Sequence, residues 1–208
     1  MAKIDIEFEW ARGLEYELTP GRSPHIKQRG NGKQEFRPLP NVPDLYLRFE
    51  RLDGTAQQFL QFAMQWGLLH TPARRGAEES VDVWKTEHRS MKEWVRLLDV
   101  AHKGKDSWVK TITTPDGQIR GFLDLASLKV RLVSGEPGDP RPKLVLQPQT
   151  LLDAMRLQLA QTAASGSGIS ACQQCGEWFE VGRAGKRSVA KFCKAECRNR
   201  FHYEARAK

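Results

Sequence analysis

Apolar and polar residues alternate from the start of the chain. Ile4, Ile6, Phe8 and Trp10 are interleaved with Asp5, Glu7 and Glu9, the period of a strand with one buried and one acidic face. Ala11-Arg12-Gly13 reads as a short turn into Leu14, Tyr16 and Leu18, which alternate with Glu15 and Glu17, so a β-hairpin is predicted here. From Pro20 to Pro43 the chain is rich in Gly, Pro and Arg and reads as a loop or mobile basic arm. Leu45, Leu47 and Phe49 predict a third short strand.

The period then lengthens. Phe59, Phe62, Ala63 and Trp66 fall at i, i+3, i+4 and i+7 with Gly67 near the stop, and Trp84, His88, Met91, Val95, Leu98 and His102 recur at helical spacing. Strands are predicted from Trp108 to Thr113, from Phe122 to Val133 and at Leu144-Val145-Leu146, with a turn at Pro115-Asp116-Gly117. Thr150 opens a third helix, with Asp153 in a capping-box-like position and Leu152, Met155, Leu159 and Ala163 as its buried stripe. Ser165-Gly166-Ser167-Gly168 reads as a flexible linker. The expected organisation is therefore an α+β domain of mixed strands and helices over 1–165, followed by a small module over 166–208.

Composition supports a folded chain: 208 residues, 39% hydrophobic, with six Trp and nine Phe, suffice for one core and a small appendage. No run approaches the roughly 18 apolar residues of a membrane span, and MAKIDIEFEW lacks the apolar stretch of a signal peptide. Neither membrane nor export is expected. The net charge of +8 is unevenly placed: Ala171 to Lys208 holds nine Lys/Arg against four Asp/Glu, while the rest of the chain holds 24 against 21. A basic excess in so short a segment points to a polyanion, and nucleic acid is the usual one.

That same segment contains all four cysteines, Cys172, Cys175, Cys193 and Cys197, spaced C-x2-C-x17-C-x3-C. Two close pairs of soft thiolates separated by a hairpin-sized insert suit one tetrahedral Zn²⁺. Segregated thiolates without disulfides elsewhere fit a reducing compartment, the cytoplasm. Gly176 behind the first pair permits a tight knuckle; Glu177 to Val181 and Ser188 to Phe192 are expected to pair across a Gly-containing loop; Cys193 and Cys197 open a helix running to about Arg206. Trp178, Phe179, Phe192 and Phe201 are the expected small core. Knuckle, hairpin and helix describe a treble-clef-like zinc finger with four cysteine ligands. Four sulfurs leave zinc no open position, so the metal is expected to be structural.

On the helix, Lys194 and Arg198 form one stripe beside the metal side, and Asn199, His202 and Arg206 another; Arg183, Lys186 and Arg187 add positive charge from the hairpin loop. Arg and Lys neutralise phosphates, while Asn and Arg also read base edges. Against this stands charge compensation: four thiolates on Zn²⁺ leave a local charge of −2, which some cations, Arg200 first, would balance while the face docks protein.

The run C-x2-C-G-x-W-F-E-V…K-F-C-x3-C-R-N-R resembles the C-terminal fingers of the bacterial CGNR zinc-finger group, with Arg198 standing where the namesake motif has Gly. The resemblance covers about a fifth of the chain, and the second-pair spacing is shorter than the group's usual form. It implies DNA binding by the finger of a transcription regulator, with a sensing or interaction role for the larger domain.

Other candidates for chemistry are weaker. Asp5, Glu7, Glu9, Glu15 and Glu17 read as a solvated acidic face able to dock a basic segment, and His88 and His102 as core or boundary histidines. His202 follows a complete set of thiolate ligands and stays outside it. A His-Asn-His nuclease reading has Asn199 and His202 but lacks the general-base His in the hairpin. No P-loop, G-x-G-x-x-G, G-x-S-x-G or H-E-x-x-H pattern is present. The expectation is a non-enzymatic, cytoplasmic protein that binds nucleic acid, DNA in preference to RNA. The alternative is a protein-interaction subunit of a nucleoprotein or defence complex, docking through the finger and the N-terminal domain.

Overall fold

The computed structural model describes residues 4–42, 44–103, 128–133, 143–165, 168–182 and 190–206. In chain order the first elements are β1 (Ile4–Ile6), β2 (Trp10–Gly13), β3 (Tyr16–Leu18), β4 (His25–Gln28), β5 (Lys33–Phe36), α1 (Pro38–Asn41) and α2 (Leu45–Glu50). Then come α3 (Ala56–Trp66), β6 (Glu78–Ser80), α4 (Val81–Lys103), β7 (Lys129–Val133) and β8 (Lys143–Gln147). The chain ends with α5 (Leu151–Ala164), β9 (Gly168–Ala171), β10 (Trp178–Val181) and α6 (Ala195–Arg206). The fold is mixed helix and strand, as expected. It divides into two compact units, Met1–Arg89 with Leu125–Gln158, and Ser90–Asp124 with Leu159–Lys208, so that α4 and α5 each contribute to both. No helix among the described residues is long and apolar enough to cross a membrane.

In the first unit, the N-terminal hairpin is replaced by pairings over longer range. β1 lies parallel to β8, whose other edge pairs antiparallel with β7. β2 pairs with β5, placing Trp10 opposite Phe36, and β3 pairs with β4, placing Glu17 opposite Lys27. β4 also pairs with β6 to give the order β3-β4-β6. The predicted turn at Ala11-Arg12-Gly13 is thus strand; of the two strands expected to pair with each other, Ile4–Ile6 pairs with β8, while Trp10 and Tyr16–Leu18 pair with the segment read as a mobile arm. In that segment Ile26, alone among polar neighbours, is fully buried, and its arginines meet the acidic face. Arg37 pairs with Glu9 and Arg29 with Glu17, each at 2.5 Å. These exposed pairs add little stability each, but they answer the expected acidic surface with basic residues of the same chain.

Leu45, Leu47 and Phe49 belong to a helix, not to a strand. Leu45, Tyr46, Leu47, Phe49 and Glu50 of α2 are all buried, so the period-two pattern is a subset of a helix covered on nearly every side. α3 and α4 form as the 3.6-residue period predicts. Thr55 caps α3 by accepting from the Gln58 amide, and Gly67 ends it at φ +95°. A Cβ on Gly67 would lie 2.9 Å from Trp10 Nε1, so both backbone and space require glycine there. Arg12 donates to the terminal α3 carbonyls of Met64 and Gln65 at 3.1 and 2.6 Å, satisfying acceptors a helix end leaves free.

The core of this unit is an aromatic layer. Trp84 of α4 is fully buried with its ring centroid 5.6 Å from Phe59, 6.0 Å from Phe49 and 6.1 Å from Phe62. His88, one turn on, is buried as predicted, its ring 5.5 Å from those of Phe49 and Phe59 and its Nε2 3.1 Å from the Glu50 carbonyl oxygen. Thr150 and Asp153 form the expected cap: the Thr150 hydroxyl donates to Asp153 Oδ2 at 2.6 Å and accepts from the Asp153 amide at 3.0 Å. Leu152 and Met155 are buried as expected. In the second unit Met91, Val95 and Leu98 continue the buried stripe of α4, and Leu159 that of α5. The side chain of His102 and the predicted strand at Trp108–Thr113 with its turn lie outside the described residues.

Glu79 is the least expected core member. Its carboxylate is buried and accepts hydrogen bonds from the amides of Leu69, His70 and Thr71 at 2.9, 2.7 and 2.8 Å. One side chain therefore satisfies three consecutive backbone donors of the loop after α3. Glu79→Ala should destabilise the protein by about 3 kcal/mol, because the orphaned donors lose a charged acceptor. Glu79→Gln should lose less. Urea unfolding checks this, the midpoint falling with unchanged denaturant slope.

Candidate metal centre

The four sulfurs converge by local backbone geometry. β9 and β10 pair antiparallel, Trp178 opposite Ala171 and Val181 opposite Gly168. The turn between them holds Cys172 and Cys175. Gly176, at φ +74°, donates its amide to the Cys172 carbonyl at 2.8 Å, and the Cys172 amide donates to Glu177 O at 2.9 Å. The knuckle is thus as predicted, but its hairpin is not. β10 pairs with β9, whose first residue was expected to be linker. Ala190–Phe192 is not strand, and residues 188–189 of the predicted partner lie outside the described residues. A strand partner upstream of the knuckle needs only a tight turn, whereas one downstream must close a longer loop.

The second cysteine pair comes back to the knuckle through backbone contacts. The Gln173 amide donates to Lys191 O at 3.0 Å, and the Cys193 amide lies 3.5 Å from Cys172 Sγ. Cys197 sits in the first turn of α6. Cys175 and Cys193 sulfurs are 3.7 Å apart, Cys193 and Cys197 sulfurs 3.5 Å, and all four Sγ atoms lie within 4.8 Å of one another. Four thiolates bound tetrahedrally at about 2.3 Å from one ion would stand about 3.8 Å apart. The observed separations bracket that value, and soft sulfur donors in this number and arrangement fit a single thiophilic metal ion.

The thiols are electrostatically unequal. Burial opposes ionisation of Cys172, yet hydrogen bonds from the backbone at Cys175, Cys193 and Gln174 outweigh it and lower its pKa to about 6. Burial pushes Cys193 up, with neighbouring thiols adding to the effect, and burial likewise raises Cys197. One sulfur is prepared as an anion while two resist becoming anions beside it.

The surrounding core is small: Cys172, Phe179, Val181 and Cys197 are buried, with Ala190, Phe192 and Cys193 packed against them. Phe192 and Phe201 rings meet at 5.2 Å, as the predicted core requires, whereas Val181 takes a larger part and Trp178 a smaller part than expected. The Thr162 hydroxyl, in the last turns of α5, donates to Glu180 of β10 at 3.0 Å. Ser165 closes α5 through its amide to Gln161 O at 2.9 Å, and Gly168 is already in β9. Of the predicted linker, only Gly166 and Ser167 lie outside the described residues.

Of the candidate contact residues, Lys194, Arg198 and Asn199 are exposed at the start of α6. Arg206 is its last residue, with its side chain outside the described residues, as are Arg183, Lys186 and Arg187 altogether. Among the described residues no carboxylate pairs with Lys194, Arg198 or Lys191, a cation the sequence reading passed over. Arg200, expected to balance the thiolates, donates to Glu204 Oε1 at 2.8 Å, a hydrogen bond that raises its pKa, and the charge of Cys197 adds a smaller push in the same direction. Arg200 also lines an open cavity of about 430 Å³ with Gln174, Cys175, Glu196 and Cys197. His202 is exposed and packs its ring 5.9 Å from Phe192. Comparison with family models, curated proteins and solved structures gives no match.

The lowered Cys172 pKa has a testable sign. Its contribution to the metal-free fold is present above the ordinary thiol pKa of about 8.5 and is lost as pH falls through about 6. Thiolate absorbance of the metal-free protein should show its first step near pH 6, and Cys172→Ser should remove that step.

Proposed function

We propose that this protein is a non-catalytic, zinc-stabilised nucleic-acid-binding protein, with DNA preferred to RNA, acting as a transcription regulator of the CGNR zinc-finger type. The observation that carries this reading is the pair Lys194 and Arg198, exposed and without carboxylate partners among the described residues, at the start of a helix pinned by Cys197. The basic excess from Ala171 to Lys208 extends the same field. A knuckle at the tip of the β9–β10 hairpin, followed by a helix that carries Cys197, supports this reading. Zinc is the metal favoured by an all-thiolate tetrahedral set, and a complete set leaves it no position for substrate. Its role is then to hold α6 against the knuckle and to add to the folding free energy of so small a core.

The reading has two direct tests. Purified protein should carry one zinc per chain by elemental analysis, and Cys197→Ser should lose it together with thermal stability. At constant pH, log affinity for nucleic acid should fall linearly with log salt, and Lys194→Ala and Arg198→Ala should each reduce the slope by about one. The absence of any DNA or RNA binding at low salt by the zinc-loaded protein overturns the reading.

A second reading, a protein-interaction subunit of a larger complex, draws on Tyr203, which is 77% exposed on α6. It predicts a single stoichiometric protein partner whose capture survives nuclease and high salt and is lost in Tyr203→Ala.

A further inference from the structure

The start of α6 borders a groove of about 350 Å³ lined by Ala190, Phe192, Cys193 and Ala195 together with the cations Lys191, Lys194 and Arg198. Phe192 is half-buried, its ring braced by Phe201 at 5.2 Å and by His202 at 5.9 Å. Lys194, just before α6, and Arg198, in its first turns, lie four residues apart and stand side by side at the groove. Glu196 and Glu177 do not line this groove; they line the cavity that also holds Arg200, and Lys194 borders both. The groove thus joins three cations and no carboxylate to an aromatic residue.

We infer that this groove takes an unpaired nucleotide of a single strand, its base against Phe192 and its flanking phosphates on Lys191, Lys194 and Arg198. The inference rests on the nucleic-acid reading above and narrows it. A duplex keeps its base faces stacked and shows a protein only phosphates and base edges. Such a surface leaves an apolar, ring-lined groove uncovered. An unpaired base supplies a flat apolar face for the groove while its backbone supplies anions at the rim, the combination that single-strand sites use. The arrangement of Lys and Arg around one ring also matches a strand whose polarity alternates between phosphate and base.

The test uses the intact zinc-loaded protein and fluorescence anisotropy with labelled oligothymidylate, oligouridylate, a duplex of the same length and an abasic strand of that length. The two base-bearing single strands separate DNA from RNA. Loss of one stacked base should weaken binding by roughly 5- to 150-fold, so the better single strand should bind at least about fivefold tighter than both the duplex and the abasic strand. Phe192→Leu keeps an apolar residue in the core and should lower affinity for the base-bearing strand while leaving the abasic strand unchanged; comparing the two strands on one variant separates stacking from any change in stability. Duplex binding as tight as single-strand binding, or equal binding of base-bearing and abasic strands, overturns the inference and leaves the broader reading intact. No binding of any of the four removes both.

Discussion

Crowding of four sulfur atoms is the constraint around which the C-terminal segment is organised. Two of its four buried core residues, Cys172 and Cys197, are themselves members of the cluster, so hydrophobic burial and sulfur convergence are the same event. The cost is electrostatic. Cys172 is held as an anion by backbone donors, whereas Cys193 and Cys197 are driven toward the neutral thiol. A cation at the centre reverses that balance, since it stabilises every thiolate at once. Under the zinc proposal, the pose of α6 and the groove beside Phe192 both follow from that single ion.

The first unit solves a different problem, the burial of backbone polar groups beside a dense aromatic layer. Trp84, Phe49, Phe59 and Phe62 leave little room for water, so nearby loops must find acceptors within the protein. Glu79 does this for three consecutive amides, and Arg12 does the converse for two carbonyls at the end of α3. Both are charged residues used as connectors between chain segments rather than as surface ornament. Glu9, Glu17 and the basic residues between Pro20 and Pro43 show the same economy at the surface, where Arg29 and Arg37 find their carboxylates within the first unit.

Legibility in the sequence tracks the range of the interaction. α3, α4 and α5 are plain because their periodicity, the Thr55 and Thr150 caps and the Gly67 stop are all local. The knuckle is plain because Cys172, Cys175 and Gly176 are adjacent. β4 is hidden, since one buried Ile26 gives no alternation, and its pairing with β3 and β6 is set by residues far along the chain. α2 reads wrongly because burial on nearly all sides erases the 3.6-residue signal, leaving Leu45, Leu47 and Phe49 to mimic a strand. At the site, the ligands and the cations Lys194 and Arg198 are legible from spacing. The pairing of β10 with β9, the Arg200–Glu204 bond and the groove at Phe192 are not, because each depends on which way the chain turns after the knuckle.

Thr162 has a consequence for how this protein could be taken apart or recombined. Its hydroxyl joins α5 to β10, and α5 itself begins in one compact unit and ends in the other. Cutting the chain at Ser165 would leave the C-terminal segment without this anchor. The C-terminal segment is thus not a cassette to be exchanged between proteins at a convenient seam. Any exchange that preserves it must carry the helix as well, and with the helix part of the other unit's core.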